Sequence, residues 1–224
     1  MKIIIVNGSH RKNGATGRIL HEMYQQLCKY KDVNVEMVHV ADLESNYCVG
    51  CASCFKNGNC IYHDDIEKLS AKIEQADGII LGSPTYASNV SGQMKVLIDR
   101  GHFVMEQLLH DKYAISVATY ENYGGTSCEK VLNRLLAYSG ASISGSIVSK
   151  SAFNANPLEN IRLRKKIEKT VKCFYRDIFG RRTYMLQNIK HFIVFRIGIK
   201  PFVLRKGPQY AGVVKHWRKR NLSN

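Results

Sequence analysis

Lys2-Ile3-Ile4-Ile5-Val6-Asn7-Gly8-Ser9-His10-Arg11-Lys12-Asn13-Gly14-Ala15-Thr16-Gly17 opens the chain, and its reading decides the fold. The run Ile3-Ile4-Ile5-Val6 is continuously apolar and β-branched, as in a strand covered on both faces of its sheet. Residues 16–30 then place Ile19, Leu20, Met23 and Leu27 on one face of a helix. Strand, glycine-bearing loop and helix, in that order, make a phosphate site. Glycines let the backbone turn tightly and present N–H groups. The helix start adds the positive end of its dipole. Ser9 and Thr16 supply hydroxyls, Asn13 an amide, and Arg11 a charge-assisted hydrogen bond. No Gly-Lys-Ser/Thr follows, so this is not a Walker loop, and the three-glycine spacing of the dinucleotide fingerprint is absent. The plainer alternative is a generic βα turn with Ser and Thr as caps. The coincidence of charge, hydroxyls and glycines at the first strand end argues for phosphate.

Outward from this stretch, short β-branched runs alternate with helical patterns. Strands are expected near residues 33–40, 78–81, 113–119 and 143–149, and helices near 64–75, 92–109, 126–138 and 158–179. Asp64 reads as an N-cap with Glu67 as capping-box partner, and Gly140 as a helix terminator. Strands that alternate with helices imply right-handed βαβ units and a parallel sheet. Residues 1–179 form the expected domain. Residues 180–224 form a basic and apolar C-terminal extension in which Pro201 and Pro208 are expected to break any long helix.

The net charge of +15 lies wholly in the last third: residues 151–224 hold 18 Lys+Arg against 3 Asp+Glu, while residues 1–150 balance. A basic attachment favours anionic partners, and a solvated face without any partner is its bland counterpart. No recognition motif for nucleic acid is visible, so none is expected as partner. The extension has three readings: peripheral contact with an anionic membrane, packing on another subunit, or wrapping of its own domain. No apolar run is long enough to cross a bilayer and no secretory signal is visible, so the expected place is the cytoplasm.

Four of the seven cysteines crowd into Cys48-x-x-Cys51-x-x-Cys54-x5-Cys60. In a cytosolic protein, such crowding points to metal or redox chemistry. Four thiolates at this spacing can hold an iron–sulfur cluster or zinc, and free thiols or reversible disulfides stay open. Cys28, Cys128 and Cys173 stand alone and read as small buried apolar residues. The pair Asp64-Asp65 opens a helix, which favours capping over catalysis. His10 lies in the phosphate loop as ligand or bystander. No nucleophile–base constellation signals hydrolysis.

The stretch Gly8-Ser9-x-Arg11-x-x-Gly14-x-Thr16 resembles the FMN phosphate loop of the NADPH-dependent FMN reductase family, in the flavodoxin-like superfamily. Gly82-Ser83-Pro84-Thr85-Tyr86, with Gly92-x-x-Lys95 and Asp99-Arg100 downstream, resembles a second stretch of that family, and residues 119–125 sit where a third loop meets the flavin. The resemblance covers roughly residues 1–175. It implies a doubly wound five-stranded parallel sheet of order 2-1-3-4-5 with FMN beyond the strand carboxyl ends. It implies that Ser9, Arg11, Asn13, Gly14, Ala15, Thr16 and Gly17 hold the phosphate. Ser83, Pro84, Thr85 and Tyr86 would line the isoalloxazine, Asn89 would close that side, and Thr119, Tyr120, Gly124 and Gly125 would approach the other edge. The cysteine spacing resembles the compact motif of iron–sulfur flavoproteins, in which Cys48, Cys51, Cys54 and Cys60 would bind a 4Fe-4S cluster. The loop departs from bacterial ferredoxin runs, because no proline follows its last cysteine.

The implied function is an FMN-dependent oxidoreductase. NAD(P)H would be the electron donor, and the electron acceptor a quinone, a flavin or another small molecule or protein. A cluster on the cysteine loop would instead make an electron carrier. A flavin-binding sensory module with a partner-recruiting tail is a third reading, and a homo-oligomer is the expected assembly. With the flavin doing the chemistry, no side chain is an obligatory acid or base.

Overall fold

The computed structural model describes residues 1–223. Strand β1 (Lys2–Asn7) runs through the middle of the protein, and Ile3, Ile4, Ile5 and Val6 are all buried. Side chains alternate across a strand. Ile4 and Val6 therefore join one apolar layer, and Ile3 and Ile5 the other. Helix α1 (Ala15–Leu27) buries Ile19, Leu20, Met23 and Leu27 in the second layer. Strand β2 (Asn34–His39) lies at the sheet edge. A short helix α2 (Ser53–Asn57) interrupts the cysteine loop. Helix α3 (Asp65–Gln75) follows, with the Asp64 carboxylate accepting from Ile66 N. The reciprocal half of the expected capping box is missing, because the Glu67 carboxylate pairs with His63 Nδ1 at 2.9 Å.

Strand β3 (Gly78–Pro84), helix α4 (Gly92–Arg100), strand β4 (Tyr113–Tyr120), helix α5 (Gly125–Tyr138), strand β5 (Ser142–Lys150) and helix α6 (Ile161–Phe179) complete the domain. All neighbouring strands pair in parallel, in the order 2-1-3-4-5. The flavodoxin-like fold is the one expected. Helix α4 stops nine residues before its expected end. Gly101 closes it, and residues 102–111 form turns that seat Phe103, Leu108 and Leu109 in the core. Apolar spacing alone does not separate a helix from turns that bury the same residues.

The extension also departs from expectation. Helix α7 (Met185–Phe192), a π-helical segment (Ile193–Ile199) and helix α8 (Lys200–Lys206) follow one another without a break. Pro201 does not interrupt them: it lies within continuous helical backbone, directly after the π-helical segment. The break comes at Gly207, with φ +53, just before Pro208. Helix α9 (Ala211–Lys219) returns to the domain. There Trp217 is buried edge-on to Phe195 and donates its Nε1–H to the Met105 carbonyl at 2.8 Å. Val203, Val213 and Leu222 complete this apolar cluster, against which Phe55 and Met105 of the domain pack. Of the three readings of the extension, the fold thus shows α9 packed on its own domain.

Candidate functional site: a cradle at the strand ends and a cysteine loop beside it

The order 2-1-3-4-5 makes the chain leave β1 and β3 in opposite directions across the sheet. Such a switch point opens a crevice beyond the carboxyl ends of the strands. A cavity of about 370 Å³ lies there, lined by segments that follow β1, β3, β4 and β5. Of the residues singled out in the sequence, Ser9, Arg11, Gly14, Ala15 and Thr16 line it from the first loop, Pro84, Thr85 and Tyr86 from the second, and Thr119 and Tyr120 from the third.

The first loop is built to receive an anion. Helix α1 begins at Gly14 with no side chain capping its free N–H groups, so its dipole and donors face the crevice. The loop holds itself in place: Ser9 N donates to Asn7 Oδ1 at 3.0 Å, and Ser9 Oγ donates to the Arg11 carbonyl at 3.2 Å. Thr16 Oγ1 and Thr119 Oγ1 hydrogen-bond at 2.7 Å and tie the loop to β4. Gly17 lies outside the lining and shapes the loop from behind. A Cβ there would lie 1.7 Å from the Lys12 carbonyl oxygen. Asn13 also faces away, into a neighbouring groove beside Arg18, whose Nε donates to the Asn13 carbonyl at 2.8 Å.

The second loop lies under the first. Ser83 is buried below the floor, where its Oγ donates to the Pro84 carbonyl and accepts from Ser91 N. Asn89 stands outside the lining and pairs its backbone with Tyr86 in both directions, closing a tight turn through Ala87 and Ser88. Thr85 N donates to the Thr119 carbonyl at 2.8 Å, and the buried Thr85 Oγ1 makes no hydrogen bond within the protein. Such an orphan in a crevice wall suits a polar ligand edge. Gly124 and Gly125 support the third loop without lining the cavity. Gly124 has φ +84, and a Cβ there would lie 2.7 Å from Ser88 Oγ. The Tyr86 and Tyr123 rings stand largely exposed at the mouth.

Sequence reasoning missed a fourth wall, formed by Ser151, Ala152 and Phe153 after β5. Arg11 reaches it: Nη1 donates to the Phe153 carbonyl at 3.1 Å, Nη2 to Asn154 Oδ1 at 3.0 Å, and the guanidinium lies 4.0 Å over the Phe153 ring. Glu121, Asn122 and Tyr123 lie in the third loop expected over residues 119–125, while Ala87 and Ser88 were missed as well. Their signal was position alone, since every loop after a parallel strand end faces this crevice.

The cysteine loop leaves the carboxyl end of β2. Its seven-cysteine chain has no disulfide among the described residues. Cys48 and Cys51 are exposed, and Cys54 and Cys60 are half-buried. No group of three or more His, Cys, Asp or Glu side chains stands at metal-holding separations among the described residues. The donor set itself suits an iron–sulfur cluster: four soft thiols on an irregular segment with left-handed backbone at Gly50, Ala52 and Gly58. Arg100 and His102 attend the loop. Arg100, buried at the end of α4, donates Nη2 to Cys60 Sγ at 3.4 Å and pairs with Asp64 through both terminal nitrogens, at 2.6 and 3.0 Å. It also donates to the Asn46 and Tyr62 carbonyls, which pins both ends of the loop. Burial pushes the Asp64 carboxyl up, but hydrogen bonds from Arg100 and Asn46 N outweigh it and bring the pKa to about 2. His102 sits against Cys54, 3.0 Å from Glu106 Oε1. Burial pushes its pKa down, but hydrogen bonds with Cys54 and Glu106 carry it to about 10.

A crevice at the switch point of a 2-1-3-4-5 sheet, with an uncapped helix start in its wall, defines an α/β protein of flavodoxin-like fold with an anion-receiving cradle. Comparison with known proteins narrows the class. The family model of the NADPH-dependent FMN reductases matches residues 1–155. An iron-sulfur flavoprotein of Clostridioides difficile (strain 630) is 35% identical over 225 residues, covering 99% of this chain and 100% of its own. An iron-sulfur flavoprotein of Archaeoglobus fulgidus is 37% identical over 128 residues, covering 55% of this chain and 56% of its own. The azoreductase from Bacillus anthracis str. Sterne shares the fold, with a TM-score of 0.61 at 13% identity, covering 78% of this chain and 99% of its own. The chain belongs to the NADPH-dependent FMN reductase family, and it is an FMN-dependent oxidoreductase of flavodoxin-like fold.

Proposed function

We propose that the crevice holds FMN and that Cys48, Cys51, Cys54 and Cys60 hold a 4Fe-4S cluster, so that the protein transfers electrons between a donor and a small or protein acceptor. The observation that carries the first half is the uncapped start of α1 facing a cavity of about 370 Å³. The backbone N–H groups of residues 14–16, the Ser9 and Thr16 hydroxyls and Arg11 would hold the phosphate. Pro84, Thr85 and Tyr86 would flank one edge of the ring system and Thr119 and Tyr120 the other, with Asn13, Gly17, Ser83, Asn89, Gly124 and Gly125 keeping the loops in shape. FMN supplies one- and two-electron redox chemistry when bound, and the chain positions it and shapes its electrostatics.

Support for the cluster comes from the names of the two iron-sulfur flavoprotein relatives and from the Arg100 guanidinium beside Cys60. Arg100 would oppose the negative charge of ligating thiolates and steady the loop. A second reading uses NAD(P)H as donor to the flavin directly. It is favoured by the family match and by the exposed Tyr86 and Tyr123 rings at the mouth.

Anaerobic purification with acid-released flavin and iron assays tests the proposal. About one FMN and four irons per chain are expected. FMN without iron would refute the cluster and leave the NAD(P)H-driven reading. Mixing with NADPH or NADH then separates the readings, because rapid bleaching of the flavin band is expected only for the enzyme driven by nicotinamide.

A further inference from the structure

The unbroken helical stretch 185–206 has two apolar faces. One faces the protein: His191, Phe195, Ile199 and Val203 recur every fourth residue, and Phe195 and Val203 are buried. Positions four apart drift around an α-helix of 3.6 residues per turn. The wider turns of the π-helical segment (Ile193–Ile199) absorb that drift and keep the four in line. The other face points to solvent. Met185, Leu186, Ile189, Phe192, Ile193 and Ile197 are each more than half exposed, from 51% to 79%. Their spacing of three and four residues makes one stripe, and π-winding keeps Ile197 on it. Leu204 continues the stripe at 55% exposure.

The extension that carries the stripe is strongly cationic, and Asp111 of the domain is the carboxylate that shares a groove with Phe192. Asp177 is the last acidic residue of the chain, and eleven Lys and Arg follow it with no Asp or Glu. Arg181, Lys190, Arg205 and Lys206 are exposed in the same extension, Lys190 over the Tyr138 ring and Lys206 over the Phe202 ring. Two copies of such a face would meet like charge with like charge. An anionic lipid surface meets both needs: acyl chains for Phe, Ile, Leu and Met, and phosphate headgroups for Lys and Arg. No described helix is long and apolar enough to cross a membrane, so the stripe would lie in the surface plane.

We propose that the outward face of residues 185–204 is an interfacial docking surface for anionic lipid bilayers. The inference stands apart from flavin or cluster content. Its test is flotation of the purified full chain with vesicles of phosphatidylglycerol and phosphatidylcholine, against vesicles of phosphatidylcholine alone. The chain should float with the anionic vesicles at low salt, stay behind with the neutral ones, and be released as salt rises. The double substitution Ile189→Glu/Phe192→Glu should weaken binding by about tenfold or more. Lys190→Glu/Arg205→Glu, which leaves the stripe intact, should weaken binding to anionic vesicles as well. Unchanged Trp217 emission certifies that each variant is folded, since that ring lies on the opposite, buried side. Failure to float with anionic vesicles would overturn the proposal. So would equal flotation of the folded Ile189/Phe192 variant, or a dimer of the native chain that this variant converts to monomer.

Discussion

Arg11 carries the clearest electrostatic role at the scale of the residue. It is the one cation among the lining residues of the crevice, and its guanidinium already bridges the first loop to Phe153 and Asn154. Arg11→Ala should weaken FMN binding about tenfold or more, since a hydrogen bond to a charged group contributes about 1.5–3 kcal/mol; a fluorescence titration checks this. Gly17→Ala should abolish binding, because the added methyl meets the Lys12 carbonyl oxygen at 1.7 Å and the loop must open. Gly92→Ala, with nothing within 4 Å of its added Cβ, should bind as the native chain does. Much of this was legible in the sequence. Arg11 and the loop glycines stand beside a strand end, where local chemistry and position coincide. Phe153 and Asn154 were not legible, because they reach Arg11 across 142 and 143 residues and carry no motif.

Among the elements, the cysteine loop depends on one ion pair. Arg100 is 1% exposed and Asp64 10% in their side chains, and together they fix both ends of the loop to the start of α3 and the end of α4. Removing either partner strands a buried charge, so Asp64→Ala should cost about 3 kcal/mol in a urea melt. The pH dependence has a definite sign. The folded-state pKa of Asp64 is depressed from 3.8 to about 2, so this stabilisation is present above pH 3.8 and lost as pH falls toward 2. Asp64→Asn should flatten that part of the acid-unfolding curve. The Asp64 cap and the run of βα units could be read from the sequence. The early end of α4 could not, because Phe103, Leu108 and Leu109 keep the apolar spacing of a helix while lying in turns. The π-helical segment escaped for a similar reason: an every-fourth-residue apolar row looks like a slightly irregular α-helix until the packing is seen.

At the scale of the whole molecule, the C-terminal extension carries most of the net positive charge, and α9 docks beside the cysteine loop. His216 Nε2 hydrogen-bonds the Gly58 carbonyl at 2.8 Å, and Arg220 pairs with Glu74 at 2.7 Å. A Cβ on Gly212 would lie 2.1 Å from Gly58 N, so the two backbones meet with no room for a side chain. Trp217, the single tryptophan, anchors the join. Trp217→Phe, which keeps an aromatic ring but loses the bond to Met105, should destabilise the extension by about 1–3 kcal/mol in thermal melts. In the native chain its emission should be blue-shifted and should redden in the same transition that unfolds the domain. The sequence disclosed that the extension differed in charge and composition. It did not disclose which surface α9 covers, because a tryptophan among lysines and arginines fits a membrane face as well as a buried anchor. The most direct test of the central claim is titration of the flavin-stripped protein with FMN and, in parallel, with riboflavin, followed by flavin fluorescence. The cradle at the start of α1 predicts FMN binding about a hundredfold or more tighter than riboflavin, because only FMN carries the phosphate. Equal affinity for the two, or binding of neither, would contradict the assignment of this crevice to FMN.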